Sequence, residues 1–172
     1  QDLFLEFLDA VGVERPDPIE WRITLSEEEE SAARDFFAPS QGATVVGLAL
    51  GTANPSKDWT TDRYVSLAHV LDAELGFHVV LLGGPGEAER ATARAILDDE
   101  RATARSALSS SVRQLIWSIR GCHLVISPDT GSLHLAHAMA MPVISAAILA
   151  ALCTKAYARR IAADPALTDD EV

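Results

Sequence analysis

Residues 123–144 read HLVISPDTGSLHLAHAMAMPVI, and this stretch contains the pattern on which the fold prediction rests. It opens as an apolar run, breaks at the turn-forming sequence SPDTGS, and resumes with helical spacing before a second apolar run begins. Continuous apolar runs of this length are typical of strands that are buried on both faces. The stretch therefore predicts a strand–helix–strand unit of a parallel sheet.

The same alternation continues on the N-terminal side of this stretch. With the elements of the stretch itself included, the predicted strands are at residues 44–50, 77–84, 104–108, 123–127 and 142–148, and the predicted helices are at about residues 61–74, 86–98, 109–120 and 131–140. Alternation of strand and helix predicts the α/β class, with a Rossmann-like parallel sheet and helices on both of its faces.

A lead-in precedes this pattern. A helical stripe is predicted at residues 2–11, and the sequence WRITL at residues 21–25 predicts a short strand. Ser26 and Glu29 have the spacing of a capping box, which predicts that a helix begins there. The predicted organisation is a lead-in or interdomain segment at residues 1–40, a Rossmann-like domain at residues 41–160 and an acidic tail at residues 161–172.

Composition limits the classes of partner. A chain of 172 residues with 48% hydrophobic residues indicates a folded protein, and a net charge of −11 argues against nucleic acid as a partner. A small anionic ligand stays open, because a helix N-terminus and one or two cations can bind it. Cys122 and Cys153 have no zinc-site spacing and predict reduced thiols. No apolar run reaches the length of a membrane span and the first residues resemble no export signal, so we expect a cytoplasmic protein.

Three predicted turns follow strand ends, where ligands bind in doubly wound sheets. The first is GTANPSKDWT at residues 51–60. Gly51 would let the backbone approach a ligand, Thr52 offers a hydroxyl, and Lys57 offers a cation suited to phosphate, while Trp59 would anchor the turn on the next helix. The other interpretation is an ordinary surface loop with a solvated lysine.

The second turn is GGPGEAER at residues 83–90, where glycines and a proline predict a tight connection from strand to helix. Glu87 falls in the first helical turn, and its carboxylate could accept hydrogen bonds from both hydroxyls of a ribose. Alternatively, Glu87 only complements the helix dipole. The sequence GGPG does not match the G-x-G-x-x-G pattern, so it gives little support to a nicotinamide cofactor.

The third turn, SPDTGS at residues 127–132, precedes a helix that is expected to begin at Thr130 or Gly131 with Asp129 as its cap. The first N–H groups of such a helix favour a phosphate. His134 could donate to a phosphate or to a sugar hydroxyl, whereas His137 is more simply interpreted as a helix-packing residue. No third ligand with metal spacing is evident, so no metal site is predicted.

Together, the segments GTANPSKDWTTDRYVSLAHVL, HVVLLGGPGEAERA and LVISPDTGSLHLAHAMAMPVI resemble the C-terminal half of bacterial ADP-heptose:lipopolysaccharide heptosyltransferases, glycosyltransferase family 9. The resemblance covers residues 44–144, and the lead-in is compatible with that family's interdomain segment. It implies a GT-B architecture, in which two Rossmann-like domains face each other across a cleft. The C-terminal domain binds the nucleotide-sugar donor, and the N-terminal domain binds the acceptor and supplies an Asp as general base.

Carried over by position, the resemblance implies a set of donor contacts. Thr52 and Lys57 would contact the diphosphate, Glu87 the adenosine ribose, and Ser110 the region of the adenine. Asp129 would contact hydroxyls of the transferred sugar, with Thr130, Gly131 and His134 around the diphosphate. Lys57 and the helix N-terminus would stabilise the charge that grows on the leaving phosphate, in place of a metal ion.

The implied partners are an ADP-heptose or similar nucleotide-sugar donor and a lipid-linked oligosaccharide acceptor, with no cofactor and no nucleic acid. Association with the inner face of the membrane stays open. Because the catalytic base belongs to the other domain, we expect this chain alone to bind a donor nucleotide without turnover.

After MPVISA the family usually has a Phe-Gly-Pro-Thr turn, whereas this chain continues AILAALCTKAYARR, and Ser132 stands where the family usually has proline. Two other hypotheses stay open, a non-catalytic nucleotide- or anion-binding module and a structural domain whose polar turns are only caps.

Overall fold

The computed structural model of the protein describes residues 11–13, 21–52, 58–100 and 103–145. Its five strands are β1 (Val45–Ala49), β2 (His78–Leu82), β3 (Ala104–Ser106), β4 (Leu124–Ser127) and β5 (Val143–Ser145). All neighbouring pairs are parallel, in the order β3-β2-β1-β4-β5. The chain builds outward from β1 to β3 and then returns to place β4 on the other side of β1, so the topology reverses between β1 and β4.

Helices connect these strands. They are α1 (Glu27–Phe37), α2 (Thr61–His69), α3 (Glu87–Leu97), α4 (Val112–Arg120) and α5 (Gly131–Ala138). A 3₁₀ turn at Ala38–Ser40 follows α1, and α2 continues as a π-helix at Val70–Glu74. The predicted α/β class and parallel Rossmann-like sheet are confirmed, whereas the proposed domain boundaries stay a prediction.

The sheet has a hydrophobic core on each face, as expected for strands that are buried on both sides. Along β1 and its continuation, alternate side chains serve the two cores: Val46 and Leu48 pack with α2 and α3, while Val45 and Ala49 pack with α4 and α5. Gly47 lies between them, where a Cβ atom would come within 2.7 Å of Leu82 Cδ1. The continuous apolar sequence of β1 is therefore explained by burial on both faces.

The predicted strand at residues 21–25 is wrong. Residues 21–26 have no regular secondary structure, and the Trp21 side chain is 54% exposed. The carbonyl oxygen of Thr24 accepts a hydrogen bond from the Arg113 side chain at 2.9 Å instead of from a neighbouring strand. Apolar alternation alone could not make a strand here, because a strand needs a backbone partner.

The predicted capping box of α1 is confirmed. Ser26 Oγ accepts from the Glu29 backbone N–H at 3.3 Å, and Glu29 Oε2 accepts from the Ser26 N–H at 2.8 Å. Glu29 also accepts hydrogen bonds from the Arg113 guanidinium of α4. These contacts with Arg113, and then the Ser26 N–H, lower the pKa of Glu29 from 4.5 to about 2.

One predicted helix boundary also differs. α4 begins at Val112 rather than near residue 109, because Ser109 Oγ accepts from the Ser111 N–H at 3.0 Å and Ser111 Oγ accepts from the Gln114 N–H at 3.3 Å. These hydroxyls hold the serines outside the helix. The predicted helix at residues 2–11, the end of the strand predicted at 142–148 and the acidic tail lie outside the described residues.

Cys122 is a buried free thiol whose Sγ donates to the Ser118 carbonyl oxygen at 3.2 Å. Burial raises its pKa to about 12, so it is protonated and unreactive near neutral pH. Cys153 lies outside the described residues.

Candidate functional site

The turns that follow β1, β2, β3 and β4 enclose one cavity of about 680 Å³ at the carboxyl edge of the sheet. This is the edge at which ligands bind in open α/β sheets, beside the reversal of topology. The residues predicted to bind the donor that line this cavity are Thr52, Glu87, Ser110, Asp129, Thr130 and Gly131. His134 is not among its described lining residues, and Lys57 lies outside the described residues. The structure thus brings the three predicted turns together, and it adds the serine-rich turn after β3.

The turn after β1 begins at Gly51, whose φ of 74° lies in the left-handed region that favours glycine. A Cβ atom at this position would lie 2.6 Å from Cγ of Glu89. The side chain of Glu89 therefore fills the space that the missing Cβ leaves. The sequence analysis expected a ligand to approach the backbone here, but the structure places Glu89 in that space.

Tyr64 of α2 supports the far end of this turn. Its side chain is buried, and its hydroxyl donates to Asp58 Oδ1 at 3.3 Å. Burial, and then the adjacent Asp58 carboxylate, raise the pKa of Tyr64 well above its usual range, so the phenol stays neutral. The ring of Trp59 lies 5.7 Å from that of Tyr64, which confirms the prediction that Trp59 anchors the turn on the following helix.

The turn after β2 is closed by Glu89. Glu89 Oε1 accepts a hydrogen bond from the Gly84 N–H at 2.9 Å, and Oε2 accepts one from the Gly86 N–H at 3.1 Å. Gly86 is the N-cap residue of α3, so Glu89 provides the side-chain half of a capping box. This carboxylate, which the sequence analysis did not single out, lines the cavity and fixes the conformation of the glycine-rich turn.

Glu87 lies at the first position of α3 and lines the cavity. Its side chain is 79% exposed, and its Oε1 lies 2.7 Å from Arg94 Nη2. A first-turn carboxylate complements the helix dipole, and Glu87 also lines the cavity, so its position agrees with either alternative and its contact with a ribose stays a prediction.

The turn after β4 is arranged differently from the turn after β2. The N-cap residue of α5 is Thr130 rather than Asp129, and the Thr130 side chain makes no capping hydrogen bond. Thr130 Oγ1 lies 3.3 Å from Ser127 Oγ instead. Apart from residues next to it in the chain and the backbone of its own helix, no described heavy atom lies within 4 Å of a Cβ atom built on Gly131. The predicted helix start is confirmed, and the prediction that Asp129 is its cap is wrong.

The two histidines of α5 are both on the surface. The side chain of His134 is 74% exposed, and its Nε2 lies 3.8 Å from Asp129 Oδ1. His137 is exposed as well, which contradicts the interpretation that it packs against the protein. His134 therefore touches the rim of the cavity through Asp129 rather than through its own contact with the cavity.

The charge of the cavity is one-sided. Its described lining includes the carboxylates of Asp58, Glu87, Glu89 and Asp129, and it includes no Lys, Arg or His among the described residues. A polyphosphate would be repelled by such a wall unless a cation is supplied from elsewhere. The sequence analysis predicts Lys57 as this cation, and Lys57 lies outside the described residues.

A family comparison agrees with this geometry. The family described as glycosyltransferase family 9 (heptosyltransferase) matches residues 2–146, which is most of the chain. The chain belongs to glycosyltransferase family 9. The match extends over the lead-in as well as the sheet, and it stops where the sequence begins to depart from the usual family pattern.

Named relatives within the family are heptosyltransferases. The chain is 29% identical over 135 residues to lipopolysaccharide heptosyltransferase 2 of Salmonella typhimurium, which covers 76% of this chain and 38% of the relative. The enzyme of the same name from Escherichia coli K12 gives the same values. The lipopolysaccharide core heptosyltransferase OpsX of Haemophilus influenzae is 26% identical over 144 residues, covering 83% of this chain and 40% of the relative.

Solved structures of the family share the fold. A family 9 glycosyltransferase from Veillonella parvula superposes with a TM-score of 0.69 at 22% identity, covering 84% of this chain and 42% of that structure. The E. coli ADP-heptose LPS heptosyltransferase II gives a TM-score of 0.61 at 27% identity, covering 76% of this chain and 41% of that one. The family 9 chain described here thus spans about 40% of the length of its relatives.

Two further observations concern the described residues. None of their helices is long and apolar enough to cross a membrane. In the same ranges, no group of three or more His, Cys, Asp or Glu side chains is placed to hold a metal ion.

Proposed function

We propose that this family 9 chain is the donor-binding half of a heptosyltransferase-type glycosyltransferase, which transfers a sugar from an ADP-sugar to a lipopolysaccharide core acceptor. The observation that carries the proposal is that the separate turns after β1, β2 and β4 line one cavity at the reversal of the sheet. The E. coli heptosyltransferase WaaC, which has the same fold with a TM-score of 0.59, was solved with ADP. An ADP-sugar fits the proposed site because the turns offer complementary groups for ribose, phosphate and sugar.

The ribose is assigned to Glu87. This carboxylate stands at the mouth of the cavity and is largely exposed, so it can accept hydrogen bonds from two vicinal hydroxyls without first losing a buried partner. Ser110, which also lines the cavity and is exposed, is assigned to the side of the adenine.

The diphosphate is assigned to the first turn of α5, with Lys57 as its cation. The space in front of Gly131 is open, and the first N–H groups of a helix together with its dipole favour an anion. Thr52 and Thr130 contribute hydroxyls that line the same cavity. His134 is assigned to this end through its proximity to Asp129, whose carboxylate is assigned to hydroxyls of the transferred sugar.

These roles define the chemistry that this chain contributes. When the bond between the sugar and the diphosphate breaks, the sugar gains positive character and the leaving phosphate gains negative charge. The α5 N-terminus and Lys57 stabilise the leaving phosphate, which is the electrostatic contribution that is usually largest. The general base that takes the proton of the attacking hydroxyl is assigned to the other domain of the GT-B architecture, so this chain alone binds donor without turnover.

The proposal is tested by thermal unfolding with ADP. At a ligand concentration of about 100 Kd, binding adds about 2.7 kcal/mol to the free energy of unfolding, which raises Tm by about 5–10 °C for a domain of this size. Lys57→Ala should remove most of this shift, and Lys57→Arg, which retains the positive charge, should preserve more of it. No shift with any adenine nucleotide would contradict the proposal.

A further inference from the structure

Glu89 is one of the cavity residues to which the proposed donor contacts assign no role. Its two carboxylate oxygens accept hydrogen bonds from the backbone N–H groups of Gly84 and Gly86, at 2.9 and 3.1 Å. Glu89 and both glycines line the cavity. In many nucleotide-binding proteins, the N–H groups of a glycine-rich turn between strand and helix bind phosphate. In this protein a carboxylate of the chain itself holds them.

The glycines of this turn fit the carboxylate closely. A Cβ atom would lie 3.1 Å from Glu89 Oε1 at Gly83, 3.3 Å from Oε2 at Gly84 and 2.5 Å from Oε2 at Gly86. On the facing turn, a Cβ atom at Gly51 would lie 2.6 Å from Glu89 Cγ. Both turns are therefore shaped around the Glu89 side chain, which fills the space that a bound phosphate would need.

We propose that Glu89 is a specificity-determining residue of the donor site, which occupies the N–H groups of residues 83–86 and keeps phosphate away from this side of the cavity. The inference rests on the proposed function and extends it to the number of phosphates that the site accepts. A nucleoside diphosphate directs its phosphates toward Gly131. A third phosphate finds the N–H groups of Gly84 and Gly86 already bonded, and it is repelled by Glu89.

The test compares ADP and ATP binding by calorimetry on the 172-residue chain and on two variants that each remove one negative charge from the cavity. Glu89→Gln retains the size of the side chain, but an NH₂ group, which only donates, replaces one of the two carboxylate oxygens. One of the two backbone N–H groups therefore loses its acceptor and becomes available to a ligand. Glu87→Gln removes a carboxylate of the same cavity that pairs with the Arg94 guanidinium rather than with the turn amides. It is the matched control for net charge.

The expected results are ratios of affinities, which are insensitive to a uniform loss of binding. The unaltered chain should bind ADP about tenfold more tightly than ATP, the size of one close charge–charge interaction in a solvent-accessible site. Glu89→Gln should bring the affinities for ADP and ATP within about twofold of each other. The variant removes the charge that repels the third phosphate, and it leaves one backbone N–H group of the turn without its acceptor. Glu87→Gln should weaken both nucleotides together and leave their ratio within about twofold of the original, because both ligands carry the same ribose.

Several outcomes overturn the inference. Tighter binding of ATP than of ADP by the unaltered chain contradicts it without any variant, so the test does not depend on whether Glu89→Gln folds. An unchanged ratio in a folded Glu89→Gln protein contradicts it too, as does an equal change of ratio in Glu87→Gln. If the unaltered chain binds no adenine nucleotide, the proposed function fails and this inference fails with it, whereas ADP binding with an unchanged ratio refutes the inference alone.

Discussion

The turns after β2 and after β4 both lead from a buried strand into a helix at the edge of the same cavity, yet their glycines have opposite surroundings. At residues 83–86 a Cβ atom on any of three glycines would meet the Glu89 carboxylate within 3.5 Å. At Gly131 a Cβ atom would meet none of the described heavy atoms beyond its neighbours in the chain and its own helix backbone. The difference teaches that a glycine-rich turn is not by itself a phosphate site, because the chain can supply its own anion.

The cap residues show the same contrast. The glycine-rich turn is closed by a capping box between Gly86 and Glu89, whereas the Thr130 side chain at the start of α5 makes no capping hydrogen bond. Anions favour a helix N-terminus because of its dipole and its unpaired N–H groups. Of the two helix starts, the one at α5, where the Thr130 side chain makes no capping hydrogen bond and the space beside Gly131 is open, is therefore the better place for the phosphates of a ligand.

The largest expected effect comes from making the open turn resemble the closed one. Gly131→Glu places a carboxylate at the first position of α5, where an acidic residue suits the helix dipole and leaves folding intact. We expect ADP affinity to fall about 100-fold, because like charges brought together in a binding site cost several kcal/mol. Titration calorimetry measures the effect.

The control for this variant is Gly131→Gln, which has a similar side-chain size and no charge. Its affinity for ADP should fall only about tenfold, compared with about 100-fold for Gly131→Glu, because only the steric part of the change remains. Equal losses in the two variants would show that the phosphates are not close to Gly131.

The next effect concerns stability and tests whether each turn needs its glycine. Gly51→Ala combines a φ of 74° with a Cβ atom 2.6 Å from Glu89 Cγ, so the variant must displace Glu89 as well as accept backbone strain. We expect the free energy of unfolding to decrease by about 2 kcal/mol, measured by urea denaturation. Gly131→Ala should change it by less than about 0.5 kcal/mol, because that Cβ atom enters open space. A similar loss of stability in both variants would contradict the difference between the filled space at Gly51 and the open space at Gly131.

A smaller effect separates the ribose from the phosphates. Glu87→Ala should weaken ADP and adenosine binding alike by about fivefold, the value of roughly one exposed hydrogen-bonded contact. Inorganic pyrophosphate has no ribose, so its affinity should not decrease. A gain in affinity that appears with ADP and is absent with adenosine would instead place Glu87 beside the phosphates, because removing its negative charge would then relieve repulsion.

The smallest effect belongs to the other capping glutamate, Glu29, which lies outside the cavity. Its pKa is lowered to about 2 in the folded protein from an ordinary 4.5, chiefly by Arg113. A carboxylate with a lowered folded pKa contributes stability that is complete above its unfolded pKa and is lost as the pH falls toward the folded value. Arg113→Ala should therefore reduce the acid dependence of Tm between about pH 5 and pH 2 and leave ADP affinity at neutral pH unchanged. An effect on ADP affinity as large as that of Glu87→Ala would place α1 in the binding site.

Much of the fold was predictable because burial on both faces leaves a direct trace in sequence. The apolar runs that became β1, β2 and β4 are of this kind, and so is the capping box at Ser26 and Glu29, where hydroxyl and carboxylate stand in the usual spacing. The strand predicted at residues 21–25 is wrong, because strand formation depends on a partner that local pattern does not reveal.

The site was predictable in position but not in its internal contacts. Strand-end turns meet at one edge of any parallel sheet, so Thr52, Glu87 and Asp129 could be expected to face one cavity. That Glu89 would occupy the amides of the glycine turn was missed, because a capping box with glycine at the N-cap lacks the hydroxyl that usually marks it. The spacing Gly86-x-x-Glu89 was the available signal. The position of Lys57 lies outside the described residues, and its role stays a prediction.

The central claim is that the phosphates of the donor bind at the start of α5 and not at the glycine-rich turn. It is tested most directly by amide NMR titrations of the chain with ADP and, separately, with adenosine, since the difference between the two locates the diphosphate. The account predicts shifts of the Gly131 and Ser132 amides that appear with ADP and are absent with adenosine, while Gly84 and Gly86 respond alike to both ligands. Diphosphate-dependent shifts at Gly84 and Gly86, with Gly131 and Ser132 unchanged, would contradict it.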